Sequence, residues 1–262
     1  MGADTRARCT PPGLPDGAIP HTGQIAVLVR HNMRLRLRDP GHLISHLVMP
    51  MLLMALFEPL YGAAVPDGGA HAATGMLVVF SVLSLTMVGA AMLDEREWRT
   101  WDRLHTLPLS TATILLGKAL PVWLLLMAQQ VLLLLFGTYV VGMDVAAWHL
   151  LMPAVAVWAT VLLAIGSLLA VCVRTYGQLS ATCDIGALVV GAVGGAFAPV
   201  SMLPGWVQAI APASPGYWAM ELFRAAARGD AGAAVGPAAL LAGVGVVAGT
   251  VAAGRLGRVG AG

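Results

Sequence analysis

Six runs of roughly 20 apolar residues take up most of this 262-residue chain, at 43–64, 74–93, 119–141, 148–173, 180–200 and 233–254. A helix needs about 20 consecutive apolar residues to cross the hydrocarbon of a bilayer. Runs of that length leave little choice of fold. In lipid, backbone N–H and C=O groups have no water to bond, so a spanning segment satisfies them as a helix or in a closed barrel. Only 11% of the residues are charged, less than half of the ~25% typical of soluble domains. The chain therefore lacks the polar surface a soluble globule requires. The expected fold is an all-α integral membrane protein with six transmembrane helices, and residues 22–262 form one membrane domain. Residues 1–21, with Pro11, Pro12, Pro15 and Pro20 among small and polar residues, read as a disordered cytoplasmic tail without the apolar core of a cleavable leader.

Orientation follows from where Lys and Arg fall, because short cytoplasmic loops are enriched in both. Six precede the first run: Arg6, Arg8, Arg30, Arg34, Arg36 and Arg38. Four follow the second run (Arg96, Arg99, Arg103, Lys118), Arg174 follows the fourth, and Arg255 and Arg258 follow the sixth. That places thirteen on one side, against only Arg224 and Arg228 on the other. Both termini are expected in the cytoplasm, in the plasma membrane of the cell, and six spans satisfy that parity.

Ahead of the first span, residues 22–38 form an amphipathic pattern. At 100° per residue, Arg30, Arg34, Arg38 and His31 share one arc, and Ile25, Leu28, Val29 and Leu35 lie opposite. Asp39-Pro40-Gly41 ends the pattern. Such a helix lies along the inner membrane surface with its arginines toward phosphates and water. An ordinary positive-inside flank has the same composition, and the two descriptions are compatible.

Catalytic constellations are absent from the sequence. There is no HExxH, no GxSxG and no intramembrane Asp pair. His42 and His46 stand at i, i+4, a spacing that can chelate a metal, but no third ligand is nearby and interfacial polar residues are the simpler reading. Cys9, Cys172 and Cys183 have no metal or disulfide spacing; Cys172 and Cys183 read as small buried hydrophobes. Gly117-Lys118 superficially resembles the end of a phosphate loop, but Ala112 and Ala119 occupy the positions of its first glycine and its Ser/Thr. No ATP site, resident cofactor, metal or nucleic-acid partner is expected in this chain.

Three features remain. The segment from Asp94 to Lys118 holds eight of the chain's 28 formally charged residues between two apolar runs. Acidic residues open it (Asp94, Glu95, Glu97), then Arg99, Trp101, Asp102 and Arg103 follow, an order that suits the helix dipole. Residues 95–106 form a short helix ending before Pro108, and Ser110 caps the next. Trp98, Trp101 and Leu104 give that short helix an apolar ridge flanked by charge, using residue types that anchor interfaces. A solvated loop with membrane-dipping tryptophans is the plainer alternative. Second, residues 198–228 are apolar but broken by Pro199, Pro204, Pro212 and Pro215. They read as short helices dipping into the outer face, tolerated where protein or water covers the backbone. Third, Glu58 stands near the outer end of the first run, where with Pro59 it is expected to interrupt the helix. Asp184 stands near the inner end of the fifth. An ionisable residue inside a span is by default a functional hypothesis, although both sit close enough to an interface for plain hydration. Gly191-xxx-Gly195 and Gly245-xxx-Gly249 permit close helix packing, a weak signal in a chain with 31 glycines.

In these residues the chain resembles the membrane subunits of type-2 ABC exporters, especially the antibiotic-resistance permeases of the daunorubicin-resistance type. The likeness runs over most of the chain after residue 22. It is carried by the basic lead-in ending Arg38-Asp39-Pro40 and by the loop pattern Glu95-Arg96-Glu97, Asp102-Arg103-Leu104, Pro108, Ser110 and Leu116-Gly117-Lys118. It is completed by Pro199, Leu203-Pro204-Gly205-Trp206, Pro215 and Arg224 before the last span. The resemblance implies two permease chains, as a homodimer or heterodimer, docked on two separate ATP-binding subunits that hold ATP and magnesium. It implies that the 95–108 helix is a coupling helix seated on the ATPase, that the lead-in is a connecting helix, and that re-entrant helices cap the outer end. Trp98 and Trp101 depart from the smaller residues many relatives carry, which points to a dedicated ATPase. The Met-rich, weakly aromatic spans suit small hydrophobic or amphiphilic cargo of varied shape. Export of a lipid or lipid-linked glycan, and a non-transporting assembly or immunity role, are the alternatives.

The charge asymmetry generates a direct test. In a background with the three native cysteines replaced by serine, Asp67→Cys and Asp144→Cys are expected to react with an impermeant thiol reagent in intact cells. Arg99→Cys and Arg255→Cys are expected to react only after permeabilisation. Labelling of position 99 from outside contradicts the six-span, both-ends-in topology.

Overall fold

The computed structural model describes residues 21–37, 40–64, 67–90 and 111–259. The proposed coupling helix, with Glu95, Arg96, Glu97, Arg99, Trp101, Asp102, Arg103, Leu104 and Pro108, lies outside the described residues, as do Arg38 and Cys9. All regular structure among the described residues is helical. In chain order it comprises α1 (His21–Leu37), α2 (Pro40–Ala64), α3 (Gly68–Leu83), α4 (Thr111–Tyr139), α5 (Trp148–Cys172), α6 (Tyr176–Val193), α7 (Gly205–Ile210), α8 (Pro215–Arg228) and α9 (Ala231–Val259). After Leu83 the chain turns at Ser84 and is helical again to Ala90. Six segments are long and apolar enough to cross a membrane: Ile44–Ala64, Gly68–Ala90, Gly117–Tyr139, Trp148–Cys172, Tyr176–Val193 and Ala231–Arg255. Each overlaps one of the six runs.

Local chemistry sets the boundaries. Proline lacks the N–H that is an orphan at a helix start anyway, so α2 begins at Pro40, as the Asp39-Pro40 pair implies. Thr175 caps α6 by accepting from Gln178 N at 3.2 Å, and Gln178 Oε1 accepts from Arg174 N at 3.0 Å, a reciprocal capping arrangement. Ser214 caps α8 through Gly216 N at 3.2 Å, with Pro215 in the first turn. At its other end, Gly229 takes φ 79°, which glycine adopts without steric cost. Asp230 then caps α9 through Ala233 N at 2.9 Å. One expectation fails. Helix α2 runs through Glu58 and Pro59 to Ala64 without the predicted interruption. Proline removes one ladder bond, but membrane helices tolerate it where neighbouring groups satisfy the freed carbonyl.

The second span is the centre of the molecule. In its most apolar window 94% of residues are buried, against 11% for the first span and 17% for the sixth. Helices α2, α4, α6 and α8 all pack on α3, while α9 lies outside against α5 and α8. Close approach depends on small residues. Any side chain at Gly75 would strike the backbone carbonyl of Ala196. At Gly191 a Cβ would lie 2.6 Å from Val79 Cγ2, and at Gly245 3.4 Å from Val161 Cγ2. Gly191 thus serves close packing within the chain, whereas Gly195 lies beyond α6 in a left-handed turn at φ 78°.

Polar side chains fasten the centre. Trp158 Nε1 of α5 donates to Ser81 Oγ at 2.7 Å, and both residues are fully buried. Ser84 Oγ lies 2.8 Å from Gln129 Oε1 of α4 and 2.9 Å from Phe80 O, with one proton to share between them. Gln129 Nε2 reaches His46 O of α2 at 3.4 Å. Trp123 Nε1 of α4 donates to Thr160 Oγ1 of α5 at 3.1 Å. In hydrocarbon an unpaired donor has no water to fall back on, so these bonds fix helix register.

Candidate functional site: a groove and a latch at opposite ends of the bundle

The break at Ser84 leaves space beside α3. There, the first half of α2, the second half of the second span and the first half of α6 border an open groove of about 620 Å³. That volume lies within the ~300–1,000 Å³ range of small-molecule sites. Its walls are mainly apolar: Ile44, Val48, Met49 and Leu52 from α2, and Phe80 and Leu83 from α3. Polar groups enter at a few points, namely Ser45, His46, Thr86, Tyr176, Ser180 and Asp184. Asp184 lies eight residues into α6, about 12 Å along the helix at 1.5 Å per residue, and accepts from Ser180 Oγ at 3.3 Å. The structure therefore places Asp184, exposed, on the wall of this open groove. His46, half of the i, i+4 histidine pair, lines the same groove. Periodicity within one helix gave no hint of that partnership, because the groove walls come from three segments far apart in sequence.

At the opposite end of the same helices lies a second polar cluster. Arg224 of α8 donates from Nη1 to Glu221 Oε1 at 3.1 Å, and its Nη2 lies 2.8 Å from His71 Nδ1 at the start of α3. A guanidinium has only donors, so His71 Nδ1 is the acceptor. The His71 ring packs against Tyr61 of α2 with centroids 5.3 Å apart, and Tyr61 Oη donates to Phe197 O at 2.6 Å. Arg224 was singled out in sequence; its partners His71 and Glu221, and Tyr61 against the His71 ring, were not. Glu58 is half-buried one turn before Tyr61, about 21 Å along α2 from Ile44 at the helical rise. Glu58 and Asp184 thus sit toward opposite ends of the helix bundle.

Residues 198–228 are broken as their prolines require. Pro199 precedes a 3₁₀ turn at Val200–Met202, Leu203 ends it, and Pro204 precedes α7. A second 3₁₀ turn at Ala211–Ala213 leads through Ser214 to Pro215 and α8. Trp206 is 69% exposed, whereas α8 buries Met220, Leu222 and Phe223. On α1, Arg30 and Arg34 are exposed. Leu28 packs where Gly117 of α4 leaves room, and Asn32 Nδ2 donates to Gly117 O at 3.3 Å. Leu35, two turns beyond Leu28 on the same helix face, is exposed rather than packed. Cys183 is buried as expected, but Cys172 is exposed and receives Arg255 Nη1 at 3.1 Å. The helix end at Val173 leaves its side chain uncovered.

Comparison with known proteins agrees with this architecture. Residues 23–227 match the ABC-2 type transporter family, and the chain belongs to that family of multi-pass membrane proteins. Over 162 residues it is 30% identical to the linearmycin resistance permease protein LnrN of Bacillus subtilis (strain 168). That match covers 61% of this chain and 41% of the relative, so the chain spans less than half of the length of the permease it resembles.

The His71–Arg224 latch is open to measurement by a double-mutant cycle. His71→Ala and Arg224→Ala are each expected to cost about 1–3 kcal/mol of unfolding free energy in mixed detergent micelles, as loss of a buried charged hydrogen bond does. The pair should be non-additive by about 0.5–3 kcal/mol, the range for contacting residues. Strict additivity contradicts a direct His71–Arg224 contact.

Proposed function

We propose that this chain is the transmembrane subunit of an ATP-driven exporter that carries a small hydrophobic or amphiphilic compound out of the cytoplasm. The observation that carries the reading is the groove between the first, second and fifth spans. It is largely apolar, sized for a drug-like molecule and bordered at one end by the helix starts that follow basic segments. With thirteen of the fifteen Lys and Arg on that side, the groove faces the cytoplasmic half of the membrane. The likeness to a permease named for linearmycin resistance supports antibiotic-like cargo.

In this reading the chain pairs with a second permease copy, and ATP is hydrolysed by a separate subunit that binds nucleotide and magnesium. Residues 95–108 are the coupling helix, with Trp101 and Leu104 as apolar anchors and Glu95, Arg96, Glu97, Arg99, Asp102 and Arg103 as the charged rim. The chain runs from this segment directly into α4, and α1 is fastened to the same end of α4 through Leu28, Asn32 and Gly117. Displacement of the coupling helix would therefore move α1 and α4 together. The exposed Arg30 and Arg34 keep α1 at the phosphate layer, and Arg38 is the next candidate phosphate contact in the connecting-helix sequence. The segment with Pro199, Leu203, Pro204, Trp206 and Pro215 dips into the outer leaflet and caps the pathway, held to α3 by Arg224.

Exchanging residues 95–107 for Gly/Ser of equal length is expected to release the co-expressed ATP-binding subunit into the soluble fraction, with permease abundance unchanged. Exposed loop residues contribute little to stability, so normal abundance separates lost docking from misfolding. An ATP-binding subunit that stays at the membrane at wild-type level contradicts the docking assignment.

A further inference from the structure

We propose that the inner groove selects amphiphiles bearing a single protonated amine, with the Asp184 carboxylate as the counter-ion. This rests on the exporter reading above and deepens it by naming the cargo class. Among the described lining residues Asp184 is the single Asp or Glu, and none is Lys or Arg. It lines the groove together with Leu52, Met49 and Phe80, and Ser180 Oγ donates to its Oδ2 at 3.3 Å. A carboxylate has room for about four hydrogen bonds, and among the described residues this serine fills one of them.

Asp184 is exposed on the wall of the open groove among mainly apolar side chains, and a carboxylate in such surroundings favours a cationic partner. A primary or secondary ammonium pairs with it through N–H···O bonds, which are stronger than neutral ones, while the apolar body of the same molecule covers the walls. A neutral amphiphile gains the walls alone, and an anion is repelled. A bare metal ion is a poor occupant, because no group of three His, Cys, Asp or Glu side chains is placed to hold one among the described residues.

The test uses purified full-length protein in nanodiscs and two fluorescent probes that differ in one charge. These are dansylcadaverine, which carries a free ammonium, and its N-acetyl derivative, which is neutral. Partition into empty nanodiscs is subtracted. Wild type is expected to bind the amine about tenfold or more tighter than the acetylated probe, the effect of one hydrogen bond to a charged group. Asp184→Asn should abolish that preference and leave the neutral probe unchanged, Asp184→Glu should retain it, and Leu52→Trp should weaken both probes by filling the groove. A wild-type ratio near one, or a ratio that survives Asp184→Asn, overturns the proposal. The wild-type ratio alone decides if the Asn variant does not fold. If the ratio is near one while Leu52→Trp still weakens both probes, only the charge selectivity fails. If Leu52→Trp changes neither probe, the groove is not the cargo site and the exporter reading loses its main support.

Discussion

The fold depends on one span that is almost wholly enclosed by the other helices. Membrane helices gain little from hydrophobic burial against each other, because lipid tails are as apolar as leucine. A central span must therefore be held by close packing and by hydrogen bonds made within protein. Helix α3 meets both conditions. Gly75 admits the backbone at Ala196, and Ser81 and Ser84 engage Trp158 and Gln129 from two different neighbours. Each bond also fixes the rotation of the helix that supplies it. The outer helices then need only one packed face, which is why α2 and α9 present Leu56, Leu60, Val246 and Val247 outward.

The two ends of the central span are unlike. At its start, His71 is clamped by Arg224 and flanked by Tyr61, joining α2, α3 and α8. Toward its end, the helix breaks at Ser84 and its neighbours part to form the groove. A bundle fastened at one end and open at the other suits a protein that exchanges two packings, since interfaces of packed helices switch between discrete arrangements rather than deform continuously. In the proposed mechanism the ATP-binding subunits supply that switch through residues 95–108, and the α1–α4 junction at Gly117 transmits it.

Much of this architecture was legible in the sequence because bilayer thickness is a stringent ruler. Six runs of sufficient length gave six helices, Asp39-Pro40 marked the α1–α2 boundary, and four prolines announced the broken segment after α6. What could not be read was which span lies at the centre. The second and sixth spans have the same mean hydropathy, 1.9, yet one is enclosed and the other peripheral. The discriminating signal was the spread of small polar residues along the second span, Thr74, Ser81, Ser84 and Thr86, all buried. The Glu58-Pro59 pair misled: α2 runs on to Ala64 despite the ladder bond that the proline removes. Asp184 and Arg224 stood out as charges in apolar surroundings. The Ser180–Asp184 and Glu221–Arg224 contacts are local to one helix each, whereas the Arg224–His71 contact needed the fold and the groove around Asp184 needed three helices.

The central claim is that this chain moves cargo outward only when a separate subunit hydrolyses ATP. The most direct measurement is uptake of a fluorescent amphiphilic amine into inside-out membrane vesicles containing the chain and its cognate ATP-binding subunit. The account predicts uptake that requires ATP and magnesium, and that is lost when the ATP-binding subunit is omitted or its phosphate-loop lysine is replaced. Equal uptake by vesicles holding this chain alone, driven by an ion gradient and insensitive to ATP, would contradict it and identify a secondary carrier.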